Sequence, residues 1–173
     1  LTPVVLLRMA WADAEKLLIT RVNQARFTNL VHKLPFLARI SLCQNWHLQA
    51  VQRFAELSGI RDYQEGDIML HEGGYNENFF VMLEGEAVVT RNGKLRGKVT
   101  RGDFFGEIGL LQNSNATAQV TASAGARSLC IQRREFLRFV AHNYSVALEL
   151  ERVSSQRLGR PIFPLSPGDF KTT

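Results

Sequence analysis

The chain reads as a mainly β fold with α-helices at both ends, and three observations carry that reading. Short apolar or alternating runs separated by glycine turns fill residues 60–132. Helical periodicity precedes and follows that stretch. Asn92-Gly93, set between two strand-like runs, signals a tight hairpin. Many short strands at near-regular spacing imply a closed or double-sheet β structure rather than an α/β one.

The N-terminal part is helical from about Val4 to Thr28. Leu7, Trp11, Leu18 and Val22 recur near helical spacing, with Arg8, Asp13, Glu15 and Lys16 between them. A break is expected at Leu34-Pro35-Phe36. Ser41 then reads as the N-cap of a second amphipathic helix that runs to about Leu57, carries Trp46, Ala50, Phe54 and Leu57 on one face, and is ended by Gly59. Within the β region the clearest strands are Phe79-Phe80-Val81-Met82-Leu83 and Ala87-Val88-Val89-Thr90. Glycine turns at Gly66, Gly73-Gly74, Gly85, Gly93, Gly102 and Gly125 bring the expected strand count to about eight. After Gln132 the helical period returns, with Phe136, Phe139 and Val140 on one segment and Val146, Leu150 and Val153 on the next. From Gly159 the chain carries Pro161, Pro164 and Pro167 and reads as an extended or disordered end.

Length and composition bound the function. At 173 residues, 45% hydrophobic and 21% charged, the chain suits one globular domain with appended helices. The net charge of +5 comes from Lys and Arg scattered through every segment, which describes a solvated basic surface rather than a nucleic-acid face. Cys43 and Cys130 sit in apolar surroundings without a Cys-x-x-Cys pattern, so no structural zinc or disulfide framework is expected. Two buried free thiols fit a reducing compartment and a cytoplasmic location. The leading Leu-Thr-Pro-Val-Val-Leu-Leu stops at Arg8, short of the roughly 20 residues of a membrane span; the tail end of such a span would make this the cytoplasmic part of a membrane protein. His32, His47, His71 and His142 fall on four different elements, and there is no Gly-x-Ser-x-Gly. No catalytic residue, metal site or cofactor is expected, and the chain does not read as an enzyme.

The informative stretch is Phe104-Phe105-Gly106-Glu107-Ile108-Gly109-Leu110-Leu111, followed by Gln112-Asn113-Ser114-Asn115 and then Ala116-Thr117-Ala118-Gln119-Val120. Gly106 lets the backbone turn sharply out of a strand. Residues 107–111 then form a short helix whose unpaired amides and dipole favour an anion such as phosphate. Glu107 in the first turn can accept from a sugar hydroxyl, and Thr117 can donate to a phosphate oxygen or a base.

On these residues the sequence resembles the cyclic-nucleotide-binding domain shared by the catabolite activator protein, protein kinase A regulatory subunits and cyclic-nucleotide-gated channels. The resemblance covers roughly Leu30 to Leu158. It includes Val31-His32-Lys33-Leu34-Pro35-Phe36, Glu65-Gly66-Asp67, His71-Glu72-Gly73-Gly74, the strand–Gly–strand run from Phe79 to Glu86, and Gly102-Asp103 leading into the stretch above. It implies an eight-stranded β-roll of the double-stranded β-helix or jelly-roll type, with N-terminal helices and C-terminal hinge and lid helices. The implied division is a helical linker over 1–29, a domain over 30–158 (β-roll about 60–132, C-terminal helices about 133–158) and a proline-rich tail over 159–173.

The resemblance also implies a ligand site made of Gly106, Glu107, Ile108, Gly109, Ala116 and Thr117. Gly106 offers a backbone amide, Glu107 holds the ribose 2′-hydroxyl, and Thr117 touches the ligand. The residue before it is normally arginine, paired with the cyclic phosphate; here it is Ala116, and Asn113, Ser114 and Asn115 are also uncharged. A charge-assisted hydrogen bond contributes about 1.5–3 kcal/mol, so its loss costs about ten- to a hundredfold in affinity. Arg127, or an arginine of the last helix such as Arg152, stands as a substitute. The expectation is a regulatory ligand-sensing module with weakened or lost cAMP or cGMP binding, taking a cyclic nucleotide or another small anion and acting on an attached effector. The alternative is a ligand-independent docking or homodimerisation module of a larger protein. No helix-turn-helix follows Leu158, so a transcription regulator is set aside for this chain.

Overall fold

The structure is a computed structural model and describes residues 24–163. Of the helix expected from about Val4 to Thr28, residues 4–23 lie outside the described residues, as does the expected tail from residue 164 onward. The elements in order are α1 (Gln24–Leu37), a 3-10 turn (Ser41–Cys43), α2 (Leu48–Leu57), and strands β1 (Gly59–Tyr63), β2 (Ile68–Leu70), β3 (Asn78–Glu84), β4 (Glu86–Arg91), β5 (Lys94–Thr100) and β6 (Phe104–Phe105). A short helix α3 (Glu107–Leu111), strands β7 (Gln119–Ala122) and β8 (Ala126–Gln132), and helices α4 (Arg133–Ala141) and α5 (Tyr144–Leu158) complete it.

The eight strands form two four-stranded antiparallel sheets, in the orders β1-β8-β3-β6 and β2-β7-β4-β5. Alternation along the first sheet assigns its two faces. Phe79, Val81, Phe104, Leu129 and Ile131 face the helices, where they join Trp46, Phe54, Phe136, Phe139 and Leu150 in one core. Their neighbours Phe80, Met82, Phe105 and Cys130 face the second sheet and meet Ala87, Val99, Val120 and Ala122. This sheet is covered on both sides, which explains why β3 reads as an unbroken apolar run instead of alternating. Phe79 stacks on Phe136 with centroids 4.4 Å apart, and Phe80 stacks on Phe105 at 4.7 Å, one pair in each core. Both cysteines are free and buried, and burial pushes the Cys43 thiol up to about 12.

Three local expectations are corrected. No break occurs at Pro35: α1 runs through it to Leu37. A proline four residues after Val31 removes only the bond to that carbonyl, so near the C-terminus one lost bond is tolerated, and the Ala38 amide still closes on Leu34 O at 3.0 Å. Ser41 does not cap α2. It opens the 3-10 turn, and α2 starts at Leu48 after an uncapped His47 and ends before Gly59, which begins β1. Buried Leu42, Cys43 and Trp46 seat the intervening segment in the helical core, so packing decides the boundary over capping chemistry. The chain after Gly159 is not loose at its start, because Ile162 is buried and hydrogen-bonded on both sides.

Lys33 joins α1 to α2. It is buried, with its ammonium donating to Ala55 O at 3.1 Å and to Ser58 O, at the end where the α2 carbonyls lack intrahelical donors. Burial lowers its pKa.

Candidate functional site

The segment from Phe104 to Val120 lines a cavity of about 530 Å³ between the short helix α3 and the second sheet. Its entry is set by Gly106, whose φ of +88° lies in the left-handed region. A Cβ there would meet Asn78 O at 2.8 Å, so only glycine fits. Asn76 holds this corner. Its side chain is buried, its amide donates to Gly106 O at 2.5 Å, and its Oδ1 accepts from the Asn78 amide at 3.0 Å. At the other end of α3, Gly109 lets the returning chain approach closely, since a Cβ would lie 3.0 Å from Ser114 O. Arg133, first residue of α4, donates to Asn113 Oδ1 and to Asn76 O at 3.3 Å, tying both ends of the segment to the hinge.

Glu107 is 1% exposed and would be costly there unpaired. Its partner is Arg157 in the last turn of α5, whose Nη1 donates to Glu107 Oε1 at 2.8 Å and to Phe104 O at 2.7 Å. The same guanidinium lies over the Phe104 ring, 4.3 Å from its centroid. Burial pushes the Glu107 carboxyl above its ordinary value, and the charge of Arg157 pulls against that shift.

All six residues expected from the sequence, Gly106, Glu107, Ile108, Gly109, Ala116 and Thr117, line the cavity. Ala116 is buried, and its backbone is pinned to the Gly73-Gly74 turn: its amide donates to Gly74 O at 2.9 Å and its carbonyl accepts from the Gly73 amide at 2.8 Å. No residue from 106 to 120 carries a positive charge. The apolar wall comes from Leu70, Val89, Val99 and Val120. A cleft of this size with a few convergent polar groups is typical of a small-molecule site.

The two arginines offered as substitutes do not reach it. Arg127 lies on the exposed side of β8 and pairs with Asp62 at 2.6 Å and Glu84 at 3.9 Å. Arg152 pairs with Glu149 at 2.6 Å on the exposed side of α5. Helical rotation explains the second case: Arg157 is on the face of α5 turned toward α3, and Arg152 is not. Sequence reasoning reached Arg157 only in general terms, as an arginine of the last helix, and missed Asn76 and the cavity-lining Arg91 and Arg96. For Arg157 a signal existed in the need of the Glu107 carboxylate for a cationic partner wherever its turn packs against another element. For Asn76 there was none. Among the described residues no cluster of His, Cys, Asp and Glu is suited to a metal ion, and no helix is long and apolar enough to cross a membrane.

Known proteins resemble this chain in sequence and fold. The model of the cyclic nucleotide-binding domain family matches residues 60–143. The chain is 29% identical over 147 residues to the cAMP-dependent protein kinase regulatory subunit of Mycosarcoma maydis, a match covering 79% of this chain and 26% of that protein. The chain thus spans about a quarter of the length of the curated relatives it matches first. Among solved structures, the regulatory domain of Toxoplasma gondii protein kinase A with cAMP superposes with a TM-score of 0.71 at 21% identity, over 82% of this chain and 55% of that one. The regulatory subunit of a cAMP-independent protein kinase A from Trypanosoma cruzi, bound to guanosine, gives 0.66 at 19% identity, over 84% and 56%. The matched segment and the two-sheet roll agree: residues 60–143 match the cyclic nucleotide-binding domain family, and the chain has the fold of its solved members.

Proposed function

We propose that this chain is a regulatory ligand-sensing module whose affinity for cAMP and cGMP is weakened or lost. One observation carries the reading: the glycine-entered segment that lines the cavity brings no cation to it, with Ala116 beside Thr117 and Arg157 already engaged on Glu107. A cyclic phosphate there would meet backbone amides and the Thr117 hydroxyl but no positive charge from the segment. Ribose hydroxyls would compete with a guanidinium for the Glu107 carboxylate. Support for a regulatory rather than catalytic role comes from the regulatory-subunit relatives. The guanosine-bound, cAMP-independent relative supports the same fold accepting a ligand without a cyclic phosphate. Isothermal titration with cAMP and cGMP tests the reading. Dissociation constants weaker than micromolar are expected, and micromolar or tighter binding to either nucleotide overturns it.

A second reading, a ligand-independent docking or dimerisation unit, is favoured by Tyr144 and Leu148, exposed one helical turn apart on α5. Light scattering with and without nucleotide separates the two. A dimer indifferent to nucleotide supports docking, and a nucleotide-dependent shift supports sensing.

A further inference from the structure

The cavity does contain uncommitted positive charge, and it lies on the β4–β5 hairpin. Four cationic side chains line the cavity: Arg91, Arg96, Lys98 and Arg157. Arg157 is held by Glu107 at 2.8 Å, and Lys98 by Glu86 at 2.8 Å. The remaining carboxylate, Asp103, accepts from the Thr100 amide at 2.8 Å and from its hydroxyl at 3.0 Å. Among the described residues neither Arg91 nor Arg96 has an ion-pair partner.

Strand geometry explains why both reach the cavity. In β4, side chains two apart share a face, so Arg91 extends the inward row of Ala87 and Val89 to the rim. In β5, Val89 pairs with Gly97 and Thr90 pairs with Leu95, which leaves Arg96 as the unpaired residue of a β-bulge. Bulges re-aim a side chain that regular alternation would place elsewhere. The hairpin is also fixed in place. Asn92 and Gly93 take positive φ, and the Asn92 amide donates to both carboxylate oxygens of Glu72, at 2.9 and 3.1 Å. That occupies the nearby Glu72 carboxylate with backbone.

We infer that the anionic end of this module's ligand is held by Arg91 and Arg96 rather than by the glycine-entered segment, and that the ligand is a phosphate monoester, such as a nucleoside 5′-phosphate. A cyclic phosphate is fused to the sugar and must stay beside it, next to Ala116. A phosphate monoester is carried on a rotatable arm and bears about −1.5 to −2 charges at neutral pH. It can leave its sugar and base in the apolar part of the cavity while reaching toward these two guanidiniums, which suit phosphate oxygens in a bidentate geometry. The inference rests on the cavity being a ligand site, as proposed above.

The test is a titration of the protein with adenosine, guanosine, adenosine 5′-monophosphate, guanosine 5′-monophosphate, cAMP and cGMP. It is repeated on Arg91→Gln, Arg96→Gln and the double variant, all at exposed positions, with circular dichroism to verify the fold. At least one monophosphate is expected to bind about tenfold or more tighter than its nucleoside. That gain should fall in each single variant, vanish in the double variant and shrink as salt is raised. Equal affinity for nucleoside and monophosphate, unchanged in the double variant, overturns this inference while leaving the cavity as a ligand site. Absence of binding by every compound overturns both. Micromolar cAMP or cGMP binding overturns the weakened-affinity reading alone, and the arginine variants still decide this one.

Discussion

The Arg157 guanidinium and the Glu107 carboxylate, 50 residues apart in sequence, meet at 2.8 Å and join the last turn of α5 to the first turn of α3. Arg157 is partly exposed and Glu107 is not, so the pair is asymmetric: removing the arginine strands a buried charge. Arg157→Met is therefore expected to destabilise the domain by about 1–3 kcal/mol at neutral pH, read as a lower denaturant midpoint. Glu107→Gln, which removes the charge that requires compensation, is expected to cost less. A larger loss in Glu107→Gln than in Arg157→Met would contradict this account.

The same pair gives a pH dependence with a definite sign. Burial raises the Glu107 pKa, so the folded chain binds that proton more tightly than the unfolded one. The stability from this group is full below the unfolded-state value of about 4.3 and is lost as pH climbs through the higher folded value. Unfolding free energy of the wild type, measured against Glu107→Gln, should fall as pH rises across that window. A difference that stays flat or grows with pH would place the Glu107 pKa at or below its ordinary value.

Ala116 occupies the position where the resemblance expects the phosphate arginine. The cavity already has the backbone turn and an adjacent threonine, so Ala116→Arg is expected to raise cAMP or cGMP affinity about tenfold or more by calorimetry. The new side chain grows from a residue whose backbone is bonded to Gly73 and Gly74, which keeps its origin fixed. No gain would mean that Arg157 on Glu107, rather than the missing cation, is what blocks the ribose.

Gly106→Ala should be among the most damaging small substitutions in the chain. The left-handed φ and a Cβ 2.8 Å from Asn78 O act together, and about 2 kcal/mol or more should be lost. Asn76→Ala leaves Gly106 O and the Asn78 amide without their partner and is expected to lose about 1–3 kcal/mol. Thermal unfolding of both variants checks this; a melting temperature unchanged in Gly106→Ala would refute the close approach.

Lys33 is a structural cation at the end of α2. Lys33→Met should destabilise by about 1–3 kcal/mol without altering any ligand titration, because its contacts are Ala55 O and Ser58 O, away from the cavity. A change in ligand affinity in this variant would reveal coupling between the helical layer and the cavity.

The β-roll was legible because its signals are local. Glycines at turns, the Asn92-Gly93 hairpin and the apolar run of β3 each determine backbone conformation within a few residues. The six cavity residues were legible for the same reason, being close together in one segment. What escaped was tertiary. Pro35 looked like a break because the cost of one lost bond near a helix end cannot be weighed against packing from the sequence. Ser41 looked like a cap although buried Trp46 and Cys43 place the helix start elsewhere. Choosing Arg157 over Arg152 or Arg127 requires the rotation of α5 and the faces of β8, and the inward aim of Arg96 depends on a bulge that only strand pairing reveals.

Ile162 closes the picture from the outgoing end of the chain. Its amide takes the Ser155 hydroxyl of α5 at 2.9 Å, and its carbonyl takes the Gln112 amide just after α3 at 3.0 Å. A single residue thus works as a mechanical clutch between α5 and the residue that follows α3. A displacement of Gln112 relative to Ser155 must stretch one of those two bonds, so the seat of Ile162 depends on the spacing between α3 and α5.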